Sequence, residues 1–198
     1  PEMEINRIGV DLAKNVFQLH GVDEFARTKL KRKLSRSALV KFIANFPKCT
    51  IAMEACSSSH HFSRKFQQYG HEVKIIAPQF VKPFVHGNKN DLNDAEAICD
   101  AASRHNMRFV ATKSVAQQDI QCLHRVRKRL IHNRTALTNE TRGILAEFGI
   151  VFSLKIQALD DGIKGLLNGS CDPEELSPEG LILLQDLYSE LTSVPRKK

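Results

Sequence analysis

From Ile5 to Ala13 and from Val16 to Val22, apolar residues gather in short runs that suit β-strands, with Asn15 near the turn between them. Arg27 to Leu34 alternates weakly and is very basic, which fits an exposed edge strand. Ser35 can cap a following helix, in which Ala38, Leu39, Phe42, Ile43 and Phe46 fall at helical spacing. Cys49 to Ala55 predicts a further strand, and a Ser-rich stretch after it opens a helix that should end at Gly70. His71 to Ala77 predicts another strand and Pro78 the start of a short helix. Asp91 to His105 predicts a helix with Leu92, Ala95, Ile98 and Ala102 on one side.

The resulting order, β-β-β-α-β-α-β-α, predicts an α/β domain whose mixed five-stranded sheet begins as a meander and is flanked by helices. That order is the RNase H-like one, though other three-layer folds share its periodicity. Beyond a basic loop near Lys113 the pattern changes. Gln117 to Phe148 contains no Pro, and no Gly before Gly143, so one long helix is expected. Leu123, Leu130, Leu137 and Ile144 recur every seven residues, as at a coiled-coil seam, while the companion positions Val126, Asn133 and Glu140 begin apolar and turn polar. A lone helix packing one stripe on its own domain is the alternative. The chain therefore divides into residues 1–112 (the α/β domain), 113–150 (a long basic helix or coiled coil) and 151–198 (an acidic helical segment).

Charge sharpens that division. Between Lys113 and Arg142 seven Lys or Arg face only Asp119 and Glu140. Between Ser153 and Val194 eight Asp or Glu face only Lys155 and Lys164. The net charge of +7 favours a polyanionic partner, and Lys89, Lys113, Arg125, Arg127, Lys128, Arg129 and Arg134 are the candidate phosphate contacts. No run approaches the roughly 20 apolar residues that span a bilayer. No signal peptide is visible, and the five cysteines show no paired spacing, so a cytoplasmic protein with reduced thiols is expected. Met3 reads as a natural start after Pro1 and Glu2, whereas Pro195 to Lys198 does not read as a natural finish.

The chemistry concentrates in four acids. Asp11 lies in the apolar strand Ile8-Gly9-Val10-Asp11-Leu12-Ala13, where a carboxylate is costly to bury unless paired or bound to a cation. Glu54 closes a second such strand, Ile51-Ala52-Met53-Glu54. Asp91 and Asp94 are three apart at a helix start and share one face. Oxygen ligands without a His or Cys partner at useful spacing suit Mg²⁺ or Mn²⁺ rather than zinc. Two such ions about 4 Å apart can activate one oxygen of a phosphodiester exchange and steady the other. Other roles fit the same residues: Asp91 as a helix N-cap, Asp94 as an exposed first-turn acid, Glu54 as a strand end in solvent. His60 and His61 could reach the rim or a phosphate, but on a first helical turn they read first as surface residues.

The segments Gly9-Val10-Asp11-Leu12-Ala13-Lys14, Met53-Glu54-Ala55-Cys56, Ile76-Ala77-Pro78-Gln79-Phe80-Val81-Lys82-Pro83 and Gly87 to Ile98 closely resemble the DEDD insertion-sequence transposases that share a family with the Piv DNA invertases. The resemblance continues through Leu123-His124-Arg125-Val126-Arg127 and Arg134-Thr135-Ala136-Leu137 to Gly143–Ile150. It implies a RuvC-like catalytic domain with Asp11, Glu54, Asp91 and Asp94 as its catalytic, metal-holding acids, and Mg²⁺ as cofactor. It also implies DNA as substrate, a structured guide RNA encoded in the element, and dimers or tetramers assembled by the coiled coil in a bacterial cytoplasm. Ser57 stands where a Gly is expected and Asn90 where many members carry Thr. Family members also carry a C-terminal domain with a nucleophilic serine, and none of Ser170, Ser177, Ser189 or Ser193 sits in a matching setting. The sequence is therefore expected to carry the acids without their serine partner.

Two other readings remain. One is a stand-alone RuvC-like nuclease or junction resolvase. The other is a non-catalytic nucleic-acid-binding and oligomerisation module resting on the basic helix around Arg125 to Arg129.

Overall fold

The computed structural model describes residues 4–85, 91–170 and 176–193, with the side chains of Asp91 and Leu92 outside the description. The chain forms two compact units, residues 1–116 and 117–198.

In the first unit, β1 (Arg7–Asp11), β2 (Val16–Val22) and β3 (Thr28–Ser35) form an antiparallel meander. α1 (Arg36–Ala44) follows, then β4 (Thr50–Glu54), α2 (Ser59–Gln68), β5 (Glu72–Ile76), the short α3 (Pro78–Val81), α4 (Asp91–Ala101) and β6 (Phe109–Val110). The sheet order is β3-β2-β1-β4-β5-β6, with β4 parallel to β1, β5 parallel to β4, and β6 antiparallel to β5. This is the RNase H-like arrangement expected from the sequence, with one strand more than expected. β6 spans only two residues, too few to leave a periodic signal.

The local choices follow the residue pattern. Ser35 caps α1, its hydroxyl accepting from the Ala38 amide at 3.4 Å. One sheet face is built from Ile8, Val10, Phe17, Leu19, Ile51, Met53 and Ile75 against Leu39 and Ile43 of α1 and Phe62 and Phe66 of α2. Phe17 and Phe62 meet edge to face, with ring centroids 5.4 Å apart. The other face is thinner: Ala52 and Ile76 pack on Val81 of α3, on Ala97, Ile98 and Ala101 of α4, and on Ala102 just beyond it.

Gly9 makes that thin layer possible. A Cβ there would overlap the Ala95 carbonyl oxygen and come within 2.8 Å of the Cys99 amide nitrogen, so α4 lies directly on the β1 backbone.

The second unit contains most of α5 (Val115–Glu147), with α6 (Ile156–Leu167) and α7 (Pro178–Ser193). Gly149, at φ 71°, ends α5 as its amide donates to Ala146 and that of Ile150 to Leu145. Leu145, Leu159, Ile163, Leu166 and Leu184 form the core of this unit. The seven-residue series on α5 is not uniform: Leu137 is 7% exposed but Leu123 is 69% exposed. Its C-terminal half buries Leu137, Thr138, Thr141 and Leu145, the last in one core with Leu159, Ile163 and Leu166 of α6 and Leu184 of α7. Its N-terminal half leaves Ile120, Leu123, Val126 and Ile131 exposed.

Two polar groups hold the second unit together. Arg142 donates to the carbonyls of Phe152 (3.1 Å), Ser153 (2.7 Å) and Lys155 (3.2 Å), fixing the α5–α6 connection. The buried carboxylate of Asp160 accepts from Lys164 and from the Tyr188 hydroxyl, both at 2.9 Å. The segment expected to be simply acidic thus spends one acid inside its core.

Candidate metal-binding carboxylate site

Side chains alternate along a strand, so the partition of β1 is fixed by its apolar residues. Ile8 and Val10 enter the α1/α2 core, which leaves Arg7, Gly9 and Asp11 on the α4 face. In β4, Ile51 and Met53 likewise take the α1/α2 side, and Ala52 and Glu54 the α4 side. The two strands run parallel with Val10 opposite Met53, so Asp11 and Glu54, each the last residue of its strand, arrive together at one rim on one face. Both are half-buried.

α4 begins over this rim. Ala95 abuts Gly9, two residues before Asp11, and the half-buried Asp94 immediately precedes Ala95. Asp91 is the first residue of α4, but its side chain, like Lys89 and Asn90, lies outside the described residues. Among the described residues, no three His, Cys, Asp or Glu side chains are gathered closely enough to hold a metal ion. The topology thus brings Asp11, Glu54 and the start of α4 to one rim without closing the described acids around a centre.

The same face carries residues that the sequence reading passed over. Gln18 pairs with Asp11, and His20 with Gly9, across β1 and β2. His20 is buried; its Nε2 lies 3.5 Å from the Thr28 hydroxyl and its Nδ1 3.8 Å from a Glu96 oxygen. Burial holds its pKa below the ordinary 6.5, against the pull of Glu96 on α4. Lys31, opposite His20, also reaches Glu96, at 3.6 Å. The signal was present in Val-Phe-Gln-Leu-His-Gly-Val, whose alternate positions are polar although both faces of the strand are covered.

His61 is exposed, as a first-turn histidine should be, but His60 is half-buried and has a structural task. Its Nδ1 accepts from the Lys113 amide at 3.2 Å, while Arg64 donates to the Lys113 carbonyl at 2.6 Å. Burial first, then the nearby Lys113 and Arg64 charges, keep the His60 pKa low and so favour the neutral, accepting ring. Arg125, Arg127, Lys128 and Arg129 are all exposed on α5, and Arg134 is half-buried. Successive residues turn by about 100° around a helix, so Arg127, Lys128 and Arg129 spread around α5 instead of forming one stripe.

An RNase H-like sheet with acids at the ends of its two central parallel strands defines a class of α/β protein. Comparison with known proteins narrows the class. Residues 8–150 match the profile of the DEDD transposase family of the IS110 group, described as transposase. A probable family 20 transposase of Pseudomonas aeruginosa is 46% identical over 192 residues, covering 97% of this chain and 56% of that protein. A putative transposase of Sinorhizobium fredii is 48% identical, covering 94% of this chain and 46% of that one. The transposase of insertion sequence element IS1111A from Coxiella burnetii is 42% identical, covering 95% and 51%. The chain belongs to this transposase family, and it spans about half the length of the curated relatives it matches. A structure of T. thermophilus RuvC with a Holliday junction substrate aligns at 15% identity and TM-score 0.36, over 52% of this chain and 98% of that one; so loose a likeness adds nothing to the sheet order.

Proposed function

We propose that this chain is the acid-bearing part of a DNA transposase or site-specific recombinase, in which Asp11, Glu54, Asp91 and Asp94 together hold Mg²⁺ or Mn²⁺ for phosphodiester cleavage and transfer. The observation that carries the reading is the parallel β1–β4 pairing, which delivers Asp11 and Glu54 to one rim beneath the first turn of α4. The donor set fits the ion: these are hard carboxylate oxygens, and Gly9 removes the one methyl group that would hold the helix away from the strand. A bound divalent ion would supply charge neutralisation at a phosphate and a lowered pKa for a bound water.

The protein's own contribution is placement. β1 and β4 are central strands and fix two carboxylates with little freedom, while α4 brings Asp94, and Asp91 at its first residue, to the same end. In this reading residues 1–112 form the catalytic domain, 113–150 a nucleic-acid-facing and self-associating helix, and 151–198 a connection toward a domain carrying the serine nucleophile. Family membership supports DNA as substrate and a structured guide RNA as partner. The exposed Ile120, Leu123, Val126 and Ile131 support a homo-oligomer through α5. No helix among the described residues is long and apolar enough to cross a membrane.

The test is calorimetric titration of the chain with Mn²⁺. Wild type should bind and Asp11→Asn should not; undiminished binding in the variant would remove the site assignment. A stand-alone nuclease would additionally cut branched DNA with this chain alone.

A further inference from the structure

Among the described residues, two buried polar atoms on the α4 face of the sheet lack a hydrogen-bond partner: Arg7 Nε at the start of β1, and Gln18 Oε1 at the end that carries Asp11. Gln18 is 5% exposed, and its Oε1 is buried with no hydrogen-bond partner. Its neighbours on β2, Phe17 and Leu19, fill the opposite core, so the carboxamide lies on the side of Asp11 and Glu54. His20, two residues along the same face, has both ring nitrogens near polar groups. Among the α4-facing polar side chains of β2, the orphaned atom is therefore particular to position 18, and it is an acceptor where Arg7 Nε, at the far end of the face, is a donor.

Register says what it faces. Gln18 is the cross-strand partner of Asp11 on β1 and of Lys33 on β3. Directly opposed residues on antiparallel strands have Cβ atoms about 4.5–5.5 Å apart, within reach of a common ion or of water on that ion. A buried acceptor left unmatched is expensive, and the group that would satisfy it must be a donor or a cation. An amide oxygen is also a hard neutral donor of the kind Mg²⁺ and Mn²⁺ accept.

We propose that Gln18 is a positioning residue of the carboxylate site, its Oε1 serving as acceptor for the hydrated divalent ion held at Asp11. This rests on the metal-binding reading above. Across the end of the sheet the row then runs Glu54, Asp11, Gln18, Lys33: two anions, a neutral acceptor and an exposed cation. The amide completes the oxygen surface without adding a third negative charge to the strands.

The experiment is Mn²⁺ titration by calorimetry on the 198-residue chain, with thermal unfolding of each metal-free protein alongside. Gln18→Leu should weaken Mn²⁺ binding roughly 10–100-fold, as for loss of a group that supports a metal's ligands. Its metal-free melting temperature should be unchanged or higher, because an unsatisfied buried acceptor has been removed. Gln18→Glu, which keeps the oxygen, should bind at least as tightly as wild type. Wild-type Mn²⁺ affinity in Gln18→Leu, or a marked fall in its metal-free melting temperature, would overturn the role by showing an idle or purely structural side chain. If Asp11→Asn loses binding while Gln18→Leu keeps it, only the Gln18 role fails. If Asp11→Asn keeps binding, the metal site fails, and Gln18 with it.

Discussion

The two faces of the central sheet are built on opposite principles. Toward α1 and α2 the strands present Ile8, Val10, Phe17, Leu19, Ile51 and Met53, all fully buried and mostly large. Toward α4 the same strands present Gly9, Asp11, Gln18, His20, Ala52 and Glu54, which are small or polar. One pleat separates the two sets. The first face supplies cohesion by excluding water from aliphatic and aromatic surface. The second gives up much of that stabilisation so that a helix can lie against strand backbone and polar groups can meet at one end. Apolar cohesion and polar groups are thus segregated within single strands, residue by residue.

The comparison breaks first at its apolar side. Phe62→Ala, which opens a cavity among Phe17, Phe66 and the β-strands, should cost about 3–5 kcal/mol, measurable as a lowered urea midpoint. Loss of much less than that would mean the first face is not the main source of cohesion. Gly9→Ala tests the other side. It forces α4 away from β1, with an expected cost of about 1–3 kcal/mol and a loss of Mn²⁺ affinity larger than the stability change alone would explain. If Mn²⁺ binding survives intact, the helix–strand spacing does not set the site.

The smallest expected effect is with pH. His20, His60 and His61 all have folded pKa values below 6.5, in each case mainly through burial. The unfolded chain therefore binds more protons than the folded one between each folded value and 6.5, and stability rises with pH across that window. The urea midpoint should be lower at about pH 5.5 than at about pH 7.5, and His20→Asn should flatten part of the difference.

Much of this was legible in the chain. The apolar run Val16–Val22 coincides with β2, and the two acids that close apolar strands, Asp11 and Glu54, stand at one rim because their strands are parallel neighbours. Pairing order follows from the strand–helix alternation, which leaves few topologies. The sequence was silent where a residue's role depends on a distant partner. Gln18 and His20 belong to an apolar-looking strand, and only cross-strand register reveals their surroundings. Arg142 counts as one more cation in a basic helix until the loop carbonyls it binds are seen. Asp160 is hidden in an acidic segment until Tyr188, 28 residues on, closes over it. β6 is too short to have a pattern of its own.

The lysines of β3 have a further consequence, which concerns other molecules of the same kind. An open sheet offers two unpaired backbone edges, each a template on which a neighbour's strand could grow. Here the outermost strand on one side, β6, spans only two residues, and Lys29, Lys31 and Lys33 line the other edge with exposed positive charge. Two such β3 edges brought side by side would repel, so crowded copies are steered away from continuous sheets. Replacing those lysines to probe other roles would also remove a guard against aggregation.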